Sequence, residues 1–326
     1  MTYRTREAFD SRPLPFTPAD AQRIARIGQL DALPSFLRPE SLSNFYIEDI
    51  KGGAVLEWPR ELPDIDPRGH YSAPRFEHWK KAQESRIGIA GNYPSFKGRG
   101  LVPCHSALER RHLSYFEMNP HIVEIRAQYP EWDRNSYRLH ESLGLNMPKR
   151  GLITIDFVLT LKIPGEAALR YHAVSSKPHG QLTDPAVQRR HQREFDLLSR
   201  WGCTHQIMTE HSITRRHGTN CNRLFDYMRY VDDIGVLRDS ALHMANSLLS
   251  QKTRGTCDQR IKAAAEKIGL SLNEGYRVFA VANFLGYLEV DHKYEILPDC
   301  PLVLLDKKSP IIEGTDRSGA ASARDF

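Results

Sequence analysis

Apolar and polar positions fall into three regimes along the chain. Up to about residue 97 no period is sustained, because prolines, arginines and small polar residues break each run. Two stretches, Thr17–Ile27 and Arg75–Gln83, carry helical spacing, and residues 58–69 are punctuated by prolines that predict an extended connection. Residues 1–97 thus predict an N-terminal arm or small lobe, partly extended. Between 98 and 217 the pattern becomes regular. Ser106-Ala107-Leu108-Glu109 is a helix start, and its helix is predicted to run to about Met118. His121–Tyr129 predicts a short strand ended by Pro130. In Gly151–Ile163 the residues Ile153, Ile155, Phe157, Leu159 and Leu161 alternate onto one face, the signature of a strand. Pro164-Gly165 predicts a turn, and Ala167–Ser176 a returning strand. Asp184 with Pro185 predicts the capped start of a helix reaching about Trp201, followed by a strand at His205–Thr209.

From 218 to 308 the periods are helical, at Asn222–Tyr230, Leu237–Ser250, Thr256–Ile268 and Leu272–Leu285. Tyr287–Val290 and Tyr294–Leu297 then predict a small hairpin around Asp291-His292-Lys293. Helix, turn, helix and hairpin in that order predict a winged-helix domain. Arg277 on its recognition helix and Lys293 in its wing are the predicted DNA-binding residues. Residues 309–326, rich in Gly, Ser, Asp and Ala, predict a disordered tail.

Length and charge narrow the picture. A chain of 326 residues has room for about two domains. A net charge of +5 suits a polyanionic partner without demanding one. The five cysteines are scattered and include no C-x-x-C pair, which argues against a disulfide framework and a structural zinc site. No run is apolar enough for a membrane span or a signal peptide, so the expected location is the cytoplasm.

The chemistry concentrates in four residues: Glu109, Asp156, Lys177 and Glu194. Asp156 interrupts an apolar strand, where an acid costs several kcal/mol, ~2–7, unless it is paired or bound to a cation. A two-residue turn at Pro164-Gly165 sets Asp156 opposite Ala173 and on one face with Ser175 and Lys177. Glu109 permits two readings: completion of a capping box with Ser106, or a core-facing acid on the stripe of Leu113 and Phe116. Glu194 shares a stripe with Val187, His191, Leu198 and Trp201, and also stands four residues from Arg190, as in a helical ion pair. Lys177 before Pro178 suits a snorkelling strand-end lysine equally well. Acids near one another supply hard oxygen ligands for Mg²⁺, and a lysine beside them can offset charge on a reacting phosphate. The histidines show no H-x-x-x-H spacing on a plausible metal-binding helix, and His205 and His211, flanking a strand, read as surface groups. Arg215-Arg216-His217 reads as a basic stretch between domains, either meeting phosphates or solvated.

Helix acid, strand acid, x-x-Lys and a further helix is the order of the restriction-endonuclease fold, the PD-(D/E)xK core. Ser106-Ala107-Leu108-Glu109 and His121–Pro130 resemble the first helix and strand of the TnsA family, the endonuclease subunits of heteromeric transposases. Ile155-Asp156-Phe157 resembles its aspartate strand and Val174-Ser175-Ser176-Lys177-Pro178 its lysine strand. Arg193-Glu194-Phe195 and Ile207-Met208-Thr209-Glu210 resemble the next helix and strand. The resemblance covers about residues 98–215, the helical region only loosely and the first 95 not at all. It implies Mg²⁺ or Mn²⁺ held by Glu109, Asp156 and a strand carbonyl such as that of Ser176. Lys177 would act on the nucleophile, and Glu194 would hold Lys177 or a cation-bound water. Ser175 departs from the pattern, since many enzymes of this fold carry an acid there.

The resemblance further implies cutting of the 5′, non-transferred strand at double-stranded transposon ends. A DDE transposase would cut and join the 3′ strand, and an AAA+ ATPase would regulate the pair. Two other readings share the same residues: a stand-alone restriction- or repair-type nuclease, and a catalytically inactive DNA-binding adaptor.

Overall fold

The computed structural model describes residues 45–50, 53–84, 90–144, 151–164, 166, 168–251 and 254–305. The expected helix at Thr17–Ile27 and the expected tail from 309 lie outside the described residues. The protein is an α/β fold built on a mixed sheet, with seven α-helices among the described residues.

A hairpin of β1 (Gly91–Ser95) and β2 (Gly100–Cys104) leads into α1 (Ala107–Met118). Then follow β3 (Ile122–Trp132), α2 (Arg134–Ser142), β4 (Leu152–Leu161), β5 (Arg170–Ser176), α3 (Pro185–Ser199) and β6 (Thr204–Met208). The central sheet has the order β3-β4-β5-β6, antiparallel except for the last, parallel pair. Phe157, Leu159 and Val174 pack with Phe116 of α1 on one face. Val158 and Ala173 pack with Leu198 of α3 and with Trp201 on the other. A sheet covered on both faces needs near-continuous apolar strands, which is why β4 reads as one.

Local sequence explains most boundaries. Ser106 caps α1 by accepting from the Glu109 amide, and Asp184 caps α3 by accepting from Ala186. Pro130 does not end β3, which continues to Trp132 and pairs Pro130 with Thr154. β3 is an edge strand, where a missing N–H can face away from the ladder. The β4–β5 ladder pairs Leu161 with Arg170 and Phe157 with Val174, so its turn is longer than two residues. Asp156 therefore stands beside Ser175 instead of Ala173. The expected single apolar face is also broken: Ile155 packs with Val158 and Ala173, whereas Phe157 and Leu159 pack with Phe116, and the change falls at Asp156 opposite the left-handed Gln128.

The N-terminal segment is extended over β3. Arg75–Gln83 is not helical; only Ala82–Glu84 forms a 3₁₀ turn. Its amides are engaged elsewhere: Ala73 donates to the Glu124 carboxylate at 2.7 Å and Trp79 to the Gln128 carbonyl at 3.0 Å. Asp66 reaches the buried Arg126 guanidinium at 2.5 Å, and Arg68 forms a two-pronged pair with Glu131.

The C-terminal helices are α4 (Arg215–Met228), α5 (Arg238–Ser250), α6 (Cys257–Lys267) and α7 (Leu272–Phe284). Arg215-Arg216-His217 is not a connection between domains but the first turn of α4, capped by Thr214. A Cβ at Gly218 would come 2.6 Å from Arg111 Cγ, so glycine here permits the close approach of α4 to α1. Thr256 and Ser271 open α6 and α7 with capping boxes, and Gly269, at φ +73°, makes the turn between them. Leu56, Met118 and Val123 share one apolar cluster with these helices. The expected hairpin of 287–290 with 294–297 is absent. Asn220 accepts from the Ile296 amide at 3.1 Å and donates to the Tyr294 carbonyl at 2.7 Å, using the groups a hairpin would pair. Val290 bridges Leu304 instead. None of the described helices is long and apolar enough to cross a membrane.

Candidate active site

Glu109 enters from the first turn of α1, Asp156 from the middle of β4 and Lys177 from the residue after β5. Both acids are buried. The flanking pairs Ala127–Phe157 and Tyr129–Ile155 set Gln128 beside Asp156 on β3, and Phe157–Val174 sets Ser175 beside it on β5. Asp156 Oδ2 accepts from the Ser176 amide at 2.8 Å and lies 3.6 Å from Lys177 Nζ. The Lys177 ammonium also donates to the Ser176 carbonyl at 3.2 Å. That places the expected carbonyl ligand next to the lysine.

The capping box is only half formed: Ser106 accepts from the Glu109 amide, while the Glu109 carboxylate turns to other donors. It accepts from the Ser106 hydroxyl at 3.1 Å and from the His105 amide at 2.9 Å. It also accepts from Gln128 Nε2 at 3.3 Å, across to the sheet. Burial, then the negative charge of Asp156, push its carboxyl up to about 7, against the hydrogen bonds from His105 and Ser106 and the charge of Lys177. A pair of acids that resist joint ionisation, with one lysine 3.6 Å from one of them, is an arrangement that a divalent cation would relieve. Carboxylate oxygens are the donor type that Mg²⁺ takes.

Sequence reasoning missed the supporting residues. Gln128 adopts φ +50°, a left-handed conformation uncommon outside glycine, in the strand beside Asp156. His112, one turn after Glu109, bonds the Ser176 hydroxyl at 2.8 Å and the Thr209 carbonyl at 3.2 Å, tying α1 to the lysine strand. Burial lowers its imidazole to about 4, so it is neutral near pH 7.

No family model matches this chain, and no curated protein does.

Glu194 is held apart from Lys177. One carboxylate oxygen takes Arg190 Nε at 2.8 Å, the expected helical ion pair. The other takes the Ser175 hydroxyl at 2.7 Å, His191 Nδ1 at 3.1 Å and His205 Nε2 at 3.2 Å. Burial opposes the charge, but the bonds from His191 and His205, the Arg190 charge and Ser175 outweigh it and hold the carboxyl well below its usual range. His205 is thus a buried partner of Glu194 and not a surface group; His211 is exposed, as expected. The i,i+3 spacing of His191 and Glu194 was visible, but a search for H-x-x-x-H passes over it.

Arg277 is half-buried on α7, where its charge favours the ionised Glu274. Lys293 is exposed in a turn whose carbonyl accepts from Arg216 at 2.6 Å.

Proposed function

We propose that this protein is a Mg²⁺-dependent endodeoxyribonuclease with a restriction-endonuclease-like core, and that it cuts the 5′ strand at transposon ends. The observation that carries the reading is the convergence of Glu109, Asp156 and Lys177, from a helix, a mid-sheet strand and the next strand's end. When bound, Mg²⁺ or Mn²⁺ supplies charge stabilisation to the phosphate and acidifies water. Glu109 and Asp156 are the residues to hold it. Lys177 places its ammonium beside them, where it can orient a nucleophile and offset charge developing on a non-bridging oxygen. Gln128 and His105 fix the Glu109 carboxylate, and the Ser176 amide fixes that of Asp156.

The serine at position 175 does not leave the strand without a nearby acid. Its hydroxyl donates to Glu194, so a carboxylate stands behind it on α3. A DDE transposase and an AAA+ regulator are the proposed partners, on the strength of the resemblance over residues 98–215. The α6-turn-α7 unit, with Arg277, and the turn that carries Lys293 are the proposed contact to DNA.

The test is a transposition reaction with the cognate partner proteins, scored by strand. The Asp156→Ala protein should leave 3′ cutting and joining intact while the products remain attached at their 5′ ends. Unaltered double-strand excision would refute the assignment. Loss of all cutting, 3′ ends included, would point to a stand-alone nuclease.

A further inference from the structure

Two groups of side chains outside the Glu109–Asp156–Lys177 centre bring metal-ligating atoms together among the described residues. One is His217, Cys221 and His292. Its imidazoles stack face to face, with centroids 3.8 Å apart and planes 16° apart. Ring nitrogens bind a cation along in-plane lone pairs, and parallel stacked rings send those pairs along separate lines. That group would have to rearrange before it could share an ion.

In the other group the ligating atoms converge on one carboxylate oxygen. His191 Nδ1 and His205 Nε2 lie 3.1 and 3.2 Å from the same oxygen of Glu194, with ring centroids 5.9 Å apart. Ligand-to-ligand spacings of about 2.9–3.4 Å follow from bonds of ~2.0–2.1 Å to one cation. All three side chains are buried, and their elements are rigid: two come from consecutive turns of α3 and one from β6. Three donors meet on one carboxylate oxygen, counting the Ser175 hydroxyl, and a cation entering there would take the place of the two imidazole donors.

We propose that His191, Glu194 and His205 form a binding site for one divalent transition cation, such as Zn²⁺. Two imidazoles and one carboxylate favour a borderline cation over Mg²⁺ or Ca²⁺, which prefer all-oxygen shells. Arg190 keeps the second Glu194 oxygen, so the carboxylate binds through Oε2 alone. A cation bound by His191 Nδ1 and His205 Nε2 displaces any proton on those two atoms to solvent and leaves each ring's proton on its other nitrogen. Ser175 Oγ, 3.4 Å from His205 Nε2, stands at the edge of the site and links it to the strand that carries Lys177. The inference does not depend on the endonuclease reading.

The test is calorimetric titration of the chelator-stripped full chain with ZnCl₂, in a Cys221→Ser, Asp156→Ala background that removes the two other candidate sites. One equivalent should bind. His205→Gln and His191→Gln, each keeping an amide donor for Glu194, should weaken it at least tenfold while circular dichroism shows the fold retained. Co²⁺ added to the same background should give the d–d absorption of a nitrogen- and oxygen-ligated ion, a measurement that needs no histidine variant. Absence of binding, binding unchanged by His205→Gln in a folded protein, or absence of the Co²⁺ absorption would each overturn the proposal.

Discussion

Two buried charged regions flank the central sheet, and they are built on opposite terms. Where the N-terminal segment crosses β3, each acid is saturated. Asp66 accepts from Arg126 at 2.5 Å, from the Tyr129 hydroxyl at 2.6 Å and from the amides of Arg68 and His70 at 2.8 and 2.9 Å. Glu124 accepts from the Thr160 hydroxyl and the Ala73 amide, both at 2.7 Å. Around Asp156 the balance is negative: Lys177 lies 3.6 Å from Asp156, the second buried acid, Glu109, has no ion pair of its own among the described residues, and it is pushed up to about 7. Burial alone therefore does not mark function. The difference lies in whether the protein itself completes the neutralisation. A complete network holds segments together; the incomplete one is where we propose that a cation binds.

The comparison predicts which substitutions harm folding and which harm chemistry. Asp66→Ala strands Arg126 in the interior and should destabilise the fold by about 3–5 kcal/mol, read from denaturant midpoints. A loss below about 1 kcal/mol would mean that the arm network is not structural. Asp156→Ala should do the reverse. Cutting should fall by more than about 100-fold, beyond the loss typical of a supporting residue, with the unfolding midpoint kept or raised. Parallel loss of both would erase the distinction between the regions.

Glu109 gives the contrast a pH dependence. Its folded carboxyl, raised to about 7 from an ordinary 4.5, binds its proton more tightly than the unfolded chain does. Stability from this group is present below pH 4.5 and is lost as pH rises through 7. Glu109→Gln should therefore stabilise the cation-free protein at pH 8 relative to pH 5, by roughly 1–3 kcal/mol, and flatten that part of the stability profile. Equal effects at both pH values would show that the carboxyl is not perturbed. The smallest expected effect is that of Ser175→Ala, about 1 kcal/mol for one hydrogen bond to a carboxylate that keeps its other partners. Thermal unfolding would read it, and a loss several times larger would give Ser175 a greater share in holding Glu194.

Asp156 was legible because an acid inside an apolar strand contradicts its surroundings, but its face was not, since Ile155 and Phe157 pack on opposite sides of the sheet. Glu109 was legible as a core-facing acid from its stripe with Leu113 and Phe116, whereas the capping box that Ser-x-x-Glu spacing predicts is only half formed. The rest depended on contacts that no local period records. Arg126 meets Asp66 from 60 residues away, so the arm was readable only as proline-rich chain. Asn220 engages residues 294–296 and thereby removes the hairpin that alternation predicted. The helix expected at Asn222–Tyr230 starts at Arg215 instead, where Thr214 caps it and Gly218 serves the contact with α1. His205 was misplaced because a short strand does not reveal which of its faces a helix covers.

The central claim is that the Glu109–Asp156–Lys177 centre, unlike the arm network, awaits a divalent cation. The most direct measurement is the unfolding midpoint with and without Mg²⁺, for the full chain and for Asp156→Ala. A cation that binds the native state alone raises the midpoint in proportion to its binding. The account predicts a Mg²⁺-dependent rise in the parent protein that is lost in Asp156→Ala. No rise in the parent, or an equal rise in Asp156→Ala, would contradict it.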